Sequence, residues 1–149
     1  MKKSVKRTAA AAGLLAAASA LVTGTAQADD GPVYFSAGNF QCAIATDGSM
    51  GCDIVSPTTL RYGTFPITLT VRDIVIDQSW LPARPSFTTI DHYTRPGGNP
   101  PLDQVRTGDG QWGPYVEFAG ARCEYGFHGS FTCTAKGRSF SAYGGVITA

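Results

Sequence analysis

The residues able to do chemistry are few, and their spacing limits what each can do. Asp91-His92-Tyr93 sets an acid beside an imidazole, but on an extended segment adjacent side chains leave opposite faces, so Asp91 cannot orient His92. His128, the other of the two histidines, falls in a glycine-marked turn, where a solvated ring is the expectation. Without a His-x-x-x-His pair or an acidic cluster, these residues supply too few ligands for a metal centre. No Gly-x-Ser-x-Gly or glycine-rich phosphate loop occurs. Glu117 and Glu124 fall on one predicted strand, where seven residues span roughly 23 Å, beyond the separation of a glycosidase pair. The expectation is a protein that is not an enzyme, with no catalytic residue, cofactor or metal. A small secreted hydrolase using His92 is an alternative.

Residues suited to binding are more numerous. Trp80, Arg84, Tyr93 and Trp112 lie in or beside a stretch rich in proline, and large aromatics with a cation can line a ligand groove as well as fill a core. Leu81-Pro82-Ala83-Arg84-Pro85-Ser86 is stiffened by proline and reads as exposed, as a protease-inhibitor loop would be. Pro85 directly after Arg84 would resist cleavage there. The first reading is therefore a contact surface made by Trp80, Arg84, Tyr93 and Trp112, and the second is an inhibitor loop over residues 81–86.

Any such surface needs a frame, and two stretches supply it. Cys42 and Cys52 are ten positions apart, so if they face each other the turn centres on Asp47 and the loop is Thr46-Asp47-Gly48. A three-residue loop wants a left-handed residue last, and glycine stands there. Cys42 and Cys52 then form a non-hydrogen-bonded pair, close enough for a disulfide, and Phe40, Cys42, Ile44, Met50, Cys52 and Ile54 share one apolar face. The opposite face is small or polar. Cys123 to Cys133 repeats the device with Phe127-His128-Gly129 as the loop. Four cysteines allow three connectivities, and the turn arithmetic favours Cys42 with Cys52 and Cys123 with Cys133. A zinc site would want its cysteines two to four residues apart.

The chain of 149 residues opens with Lys2, Lys3, Lys6 and Arg7, an alanine- and leucine-rich run from Thr8 to Val22, and Ala26-Gln27-Ala28. That is the pattern of a signal peptide over residues 1–28, cleaved after Ala28, with a secreted single domain over residues 29–149. The apolar run is too short to span a bilayer, so no membrane insertion is expected. Four of the twelve Lys and Arg fall in the leader and none of the eleven Asp and Glu, so the remainder carries a formal charge of −3. Scattered single charges of that sign do not suit nucleic acid.

Within the domain, Val33 to Phe35 reads as a first strand, and Ser56-Pro57-Thr58-Thr59 ends the first hairpin. Phe65 to Ile76 is the strongest strand signal: Ile67, Leu69 and Val71 alternate with polar residues until the apolar parity switches to Ile74 and Ile76. A bulge near Arg72-Asp73, or passage between two sheets, would explain the switch. Phe87 to Tyr93 is the one stretch of the proline-rich middle able to form a strand. Val116 and Phe118 differ in parity from Cys123 and Tyr125, which predicts a bulge at Ala119-Gly120. Lys136-Gly137-Arg138 reads as a turn, Ser139 to Tyr143 as a strand, and the residues after Gly144-Gly145 as a short tail. Sixteen glycines and nine prolines after residue 28 leave little room for a long helix. The fold expected is all-β, a small antiparallel sandwich or barrel of about seven or eight strands.

Phe35-Ser36-Ala37-Gly38-Asn39-Phe40-Gln41-Cys42 with Gly51-Cys52-Asp53-Ile54, and later Gly129-Ser130-Phe131-Thr132-Cys133, resembles a group of small exported actinobacterial proteins of uncharacterised function. The resemblance implies a fold and a compartment and no catalytic residue. Gln41-Cys42-Ala43 is also similar to the enediyne-binding apoproteins of the neocarzinostatin type. The function expected is a secreted, monomeric, non-enzymatic domain that binds an extracellular protein or small ligand at the cell envelope or in the medium.

Overall fold

The computed structural model describes residues 31–63, 65–87 and 92–149, so the leader and its cleavage point lie outside the described residues. Both stapled hairpins form in the expected register. Strands β1 (Val33–Ala37), β2 (Phe40–Ile44) and β3 (Met50–Arg61) pair in succession, with Cys42 opposite Cys52 and Ile44 opposite Met50. Gly48 takes the left-handed position at φ 77°, and the sulfurs of Cys42 and Cys52 are bonded. All six residues of the predicted apolar face are buried. The second hairpin joins β7 (Ala121–Tyr125) to β8 (Phe131–Ala135), with Cys123 bonded to Cys133. Its loop differs from the first in that His128 is left-handed as well as Gly129, at φ 55° and 77°.

The Asp47 carboxylate ties the first loop together by accepting the Ser49 backbone N–H at 2.9 Å and the Ser49 hydroxyl at 2.6 Å. Those bonds, and to a smaller extent the Lys136 ammonium 3.6 Å away, hold the Asp47 carboxyl below its ordinary value. A depressed carboxyl contributes stability above its unfolded pKa, and that contribution is lost as pH falls through the folded value. The acid limb of the stability curve below about pH 4 is expected to flatten in Asp47→Asn, measured by urea unfolding at pH 2.5 to 6.

The remaining strands are β4 (Thr68–Ile76), β5 (Gly108–Asp109), β6 (Pro114–Phe118), β9 (Arg138–Tyr143) and β10 (Val146–Thr148), with one short helix, α1 (Leu102–Val105). They form one curled sheet in the order β1-β2-β3-β10-β9-β8-β7-β6-β5, with β4 on the other side of β3. Among the described residues ten strands form where seven or eight were expected, and each pair of strands is antiparallel except β10 with β3, which is parallel. The residues read as a tail are thus the strand that joins the early hairpin to the late one. Gly144 and Gly145, both left-handed, make a two-residue turn that sends the chain back along β9.

Two other expectations change. First, β3 does not end at Ser56-Pro57-Thr58-Thr59 but runs to Arg61. Residues 54–57 stand against Arg72 alone, so the surplus lies in β3 while the apolar parity of β4 switches where expected, with Val71, Ile74 and Ile76 buried. Pro57 sits in this excursion, where its missing N–H costs no ladder bond. The Asn39 side chain fixes the excursion by bonding both the carbonyl and the N–H of Ser56 at 2.8 Å.

Second, Ala119-Gly120 is not a bulge but a two-residue hairpin turn, with φ of 48° and 82°, between β6 and β7. A one-residue bulge and a two-residue reversal both bring Val116 and Cys123 onto one face, so parity alone does not separate them. Glu117 and Glu124 are therefore not separated along one strand. Glu117 faces Arg122 across the ladder, and Glu124 is its diagonal neighbour.

The small, polar face of the first hairpin is covered. Residues 93–101 cross it. The Asp53 carboxylate accepts the Tyr93 N–H at 2.9 Å and the Thr94 hydroxyl at 2.6 Å, and the Tyr93 ring lies where a Cβ on Gly51 would be, 2.1 Å from its nearest carbon. Glycine at 51 is what lets the ring seat. Of the predicted strand from Phe87 to Tyr93, residues 88–91 lie outside the described residues.

The core forms where the two hairpins meet. Phe40 packs on Phe131 with ring centres 5.0 Å apart, and Phe35 and Phe140 complete the aromatic cluster at 6.0–6.4 Å. Burying four phenylalanines contributes roughly 2 kcal/mol or more each.

Candidate functional site

Strand alternation sorts the residues of β7, β8 and β9. Ala121, Cys123, Phe131, Cys133, Phe140 and Ala142 point into the core. Their neighbours Arg122, Glu124, Thr132, Thr134, Ser139 and Ser141 therefore form the outer face. The Thr132 and Ser141 hydroxyls meet across the ladder at 3.1 Å.

The loop from β5 to β6 is pressed onto one side of this face. A Cβ on Gly113 would lie 1.9 Å from the Tyr125 carbonyl oxygen, and one on Gly110 would lie 2.5 Å from the Glu124 carboxylate. At Gly113, where the neighbour is backbone, only glycine allows that approach. It sets Trp112 beside Phe127, with ring centres 6.1 Å apart, although the two rings are 61% and 62% exposed. Between them and β8 runs a groove of about 280 Å³, lined by Trp112, Arg122, Glu124, Ser130, Thr132 and Thr134.

Arg122 is held on three sides. Its guanidinium lies 3.4 Å from the centre of the Tyr115 ring, donates to Glu124 at 2.8 Å, and stands 3.7 Å from the Glu117 carboxylate. The bond to Glu124 raises the guanidinium above its ordinary value. The groove thus combines the exposed Trp112 ring, with Phe127 beside it, a fixed cation, a fixed carboxylate and a row of hydroxyls. It can pack against an apolar surface and pair with groups that donate and accept hydrogen bonds.

No family model, curated protein or solved structure matches this chain. What it binds has to be argued from the groove itself.

The structure separates the four residues read from sequence as a contact surface. Trp112 lines the groove. Trp80 is 70% exposed, next to Ser79, whose carbonyl accepts the Arg138 Nε–H at 2.6 Å. Arg84 does not project: its backbone pairs with Val75 in both directions, its guanidinium bonds Asp77 at 2.7 Å, and Ala83 beside it is buried. Residues 81–86 therefore lie along β4 and are not an exposed loop. Tyr93 lines a second cleft of about 250 Å³ with Tyr34, His92 and Asp77. Burial there, then the nearby Asp73, Asp53 and Asp77, push its phenol up. Arg84 and Tyr93 meet around Asp77, and Trp80 and Trp112 stand elsewhere.

Asp91 lies outside the described residues, so its relation to His92 is not described. Among the described residues, no group of three or more His, Cys, Asp or Glu could hold a metal ion, and no helix is long and apolar enough to cross a membrane. Phe65, Ile67 and Leu69 leave a third exposed surface, leading into and along β4, that is apolar.

The sequence reading included Trp112, set Glu124 aside on its separation from Glu117, and missed Phe127, Arg122 and the threonines. A signal was present: Thr132, Thr134, Ser139 and Ser141 alternate with buried residues, which marks a hydroxyl-lined outer face.

Proposed function

We propose that this protein is an exported, non-enzymatic binding domain that holds its ligand at the cell envelope or in the medium, in the groove beside Trp112. The observation that carries the reading is the pairing of exposed Trp112 and Phe127 with an Arg122-Glu124 pair already fixed by its neighbours. Two rings more than half exposed add little to the core, and a pre-positioned cation loses little entropy when a ligand arrives. The disulfides suit an oxidising, extracellular compartment. The basic tip, apolar run and Ala26-Gln27-Ala28 supply an export signal. A binding role fits the groove better than hydrolysis, because its carboxylate, Glu124, is already bonded to Arg122.

The test is binding of the purified protein to envelope fractions of the organism that makes it. Replacing Trp112 and Arg122 by alanine is expected to weaken binding by about tenfold or more, as loss of a buried anchor does, with the melting temperature little changed. Replacing Trp80 and Arg84 is expected to leave binding within about twofold. The reverse pattern would move the site to the edge of β4.

A further inference from the structure

Building on the Trp112 groove as the binding site, we infer that its ligand is a neutral oligosaccharide. A sugar ring presents two kinds of surface: faces of C–H groups that pack on aromatic rings, and a rim of hydroxyls that donate and accept together. The groove answers both. Trp112, which lines the groove and is 61% exposed, gives an apolar wall able to take one ring face, with Phe127 beside it at 6.1 Å. Arg122 and Glu124 stand side by side, so adjacent hydroxyls of one sugar can accept from the guanidinium and donate to the carboxylate. Stacking on Tyr115 leaves Arg122 little freedom to lose.

The hydroxyl row extends the site beyond the first sugar. Thr132 and Thr134 lie two residues apart on β8, hence roughly 6.6 Å along the strand, and the Ser141 hydroxyl bonds that of Thr132 from β9. Each is donor and acceptor at once, which matches a polyhydroxylated chain and does not favour a ligand of fixed donors or fixed acceptors. A groove of about 280 Å³ is at the small end of ligand sites, so the first sugar fills it and its neighbours lie along the open strands.

Charge decides against the polyanionic alternatives. The cation lining the groove, Arg122, already pairs with Glu124 and stands 3.7 Å from Glu117, so it offers no uncompensated positive charge. Phosphate- or sulfate-bearing polymers would find no unpaired cation there, and a stacked nucleic-acid strand would lack the basic track it needs.

The experiment titrates the purified protein with cellohexaose, chitohexaose and mannohexaose and follows tryptophan emission. At least one is expected to shift the emission in wild type and in Trp80→Ala, and not in Trp112→Ala. Thr132→Val with Thr134→Val is expected to weaken that binding about fivefold or more while the melting temperature holds. Envelope binding that depends on Trp112 but is displaced by none of the three at millimolar concentration overturns the saccharide assignment and leaves the site standing. Envelope binding unaffected by Trp112→Ala overturns the site as well.

Discussion

Replacing all four cysteines by alanine is expected to lower the unfolding free energy by about 5–6 kcal/mol, near 2.8 kcal/mol for each bridge on the chain-entropy account of an eleven-residue loop. Both bridges join directly opposed residues whose side chains are wholly buried. Each substitution therefore also removes a sulfur from the core. Domains of this size hold roughly 5–15 kcal/mol in all, so the variant should be close to unfolded at growth temperature. Removing one bridge should leave a folded protein with a lower urea midpoint. Because the two hairpins meet through Phe40 and Phe131, the two losses are expected to couple. Urea unfolding of the single-bridge and bridge-free variants measures this, and a total loss below about 1 kcal/mol would contradict the role given to the bridges.

Asn99→Ala is expected to cost about 3 kcal/mol, well beyond an ordinary surface substitution. The Asn99 amide lies 2.7 Å from the Tyr93 carbonyl, 3.0 Å from that of Cys42 and 3.2 Å from that of Phe35, and its oxygen accepts the Arg95 N–H at 2.9 Å. One side chain thus fastens residues 93–101 to β1 and β2. Its loss leaves several backbone groups without partners and loosens the cover over Gly51 and Asp53. Hydrogen exchange at the Tyr93 amide, which donates to Asp53, reports that loosening directly. Asn99→Asp keeps the acceptor and loses the donors, so it should fall nearly as far. Full exchange protection at Tyr93 in either variant would show that the cover is held by something else.

Much of this fold was legible because the hairpins carry local, redundant signals. The separation of Cys42 and Cys52, Gly48 at the left-handed position and the apolar face from Phe40 to Ile54 all point to one register. Where a single signal stood alone, it misled. At Ala119-Gly120 the parity of Val116 against Cys123 fits a bulge as well as a turn. Val146–Thr148 is too short for any periodicity, and its order comes from pairing with β3, a contact across most of the chain. The small, polar face of Ala43, Gly51 and Asp53 was visible. What covers it was not, because residues 93–101 have no repeat and are held by Asn99, Asp53 and Gln41 side chains. The binding groove escaped for a related reason. Trp112 and Phe127 come from separate loops, brought together by close approaches at Gly110 and Gly113 that only a folded chain defines.

The central claim, that ligand is held on the outer face of β7 and β8, is tested most directly by amide and indole NMR spectra of the labelled protein titrated with chitohexaose, cellohexaose or mannohexaose. The account predicts that shifts concentrate at the Trp112 indole, Arg122, Glu124, Thr132 and Thr134, with Trp80 and Tyr93 still. Shifts gathered instead around Tyr34, Tyr93 and Arg84, or along Phe65 to Leu69, would contradict it.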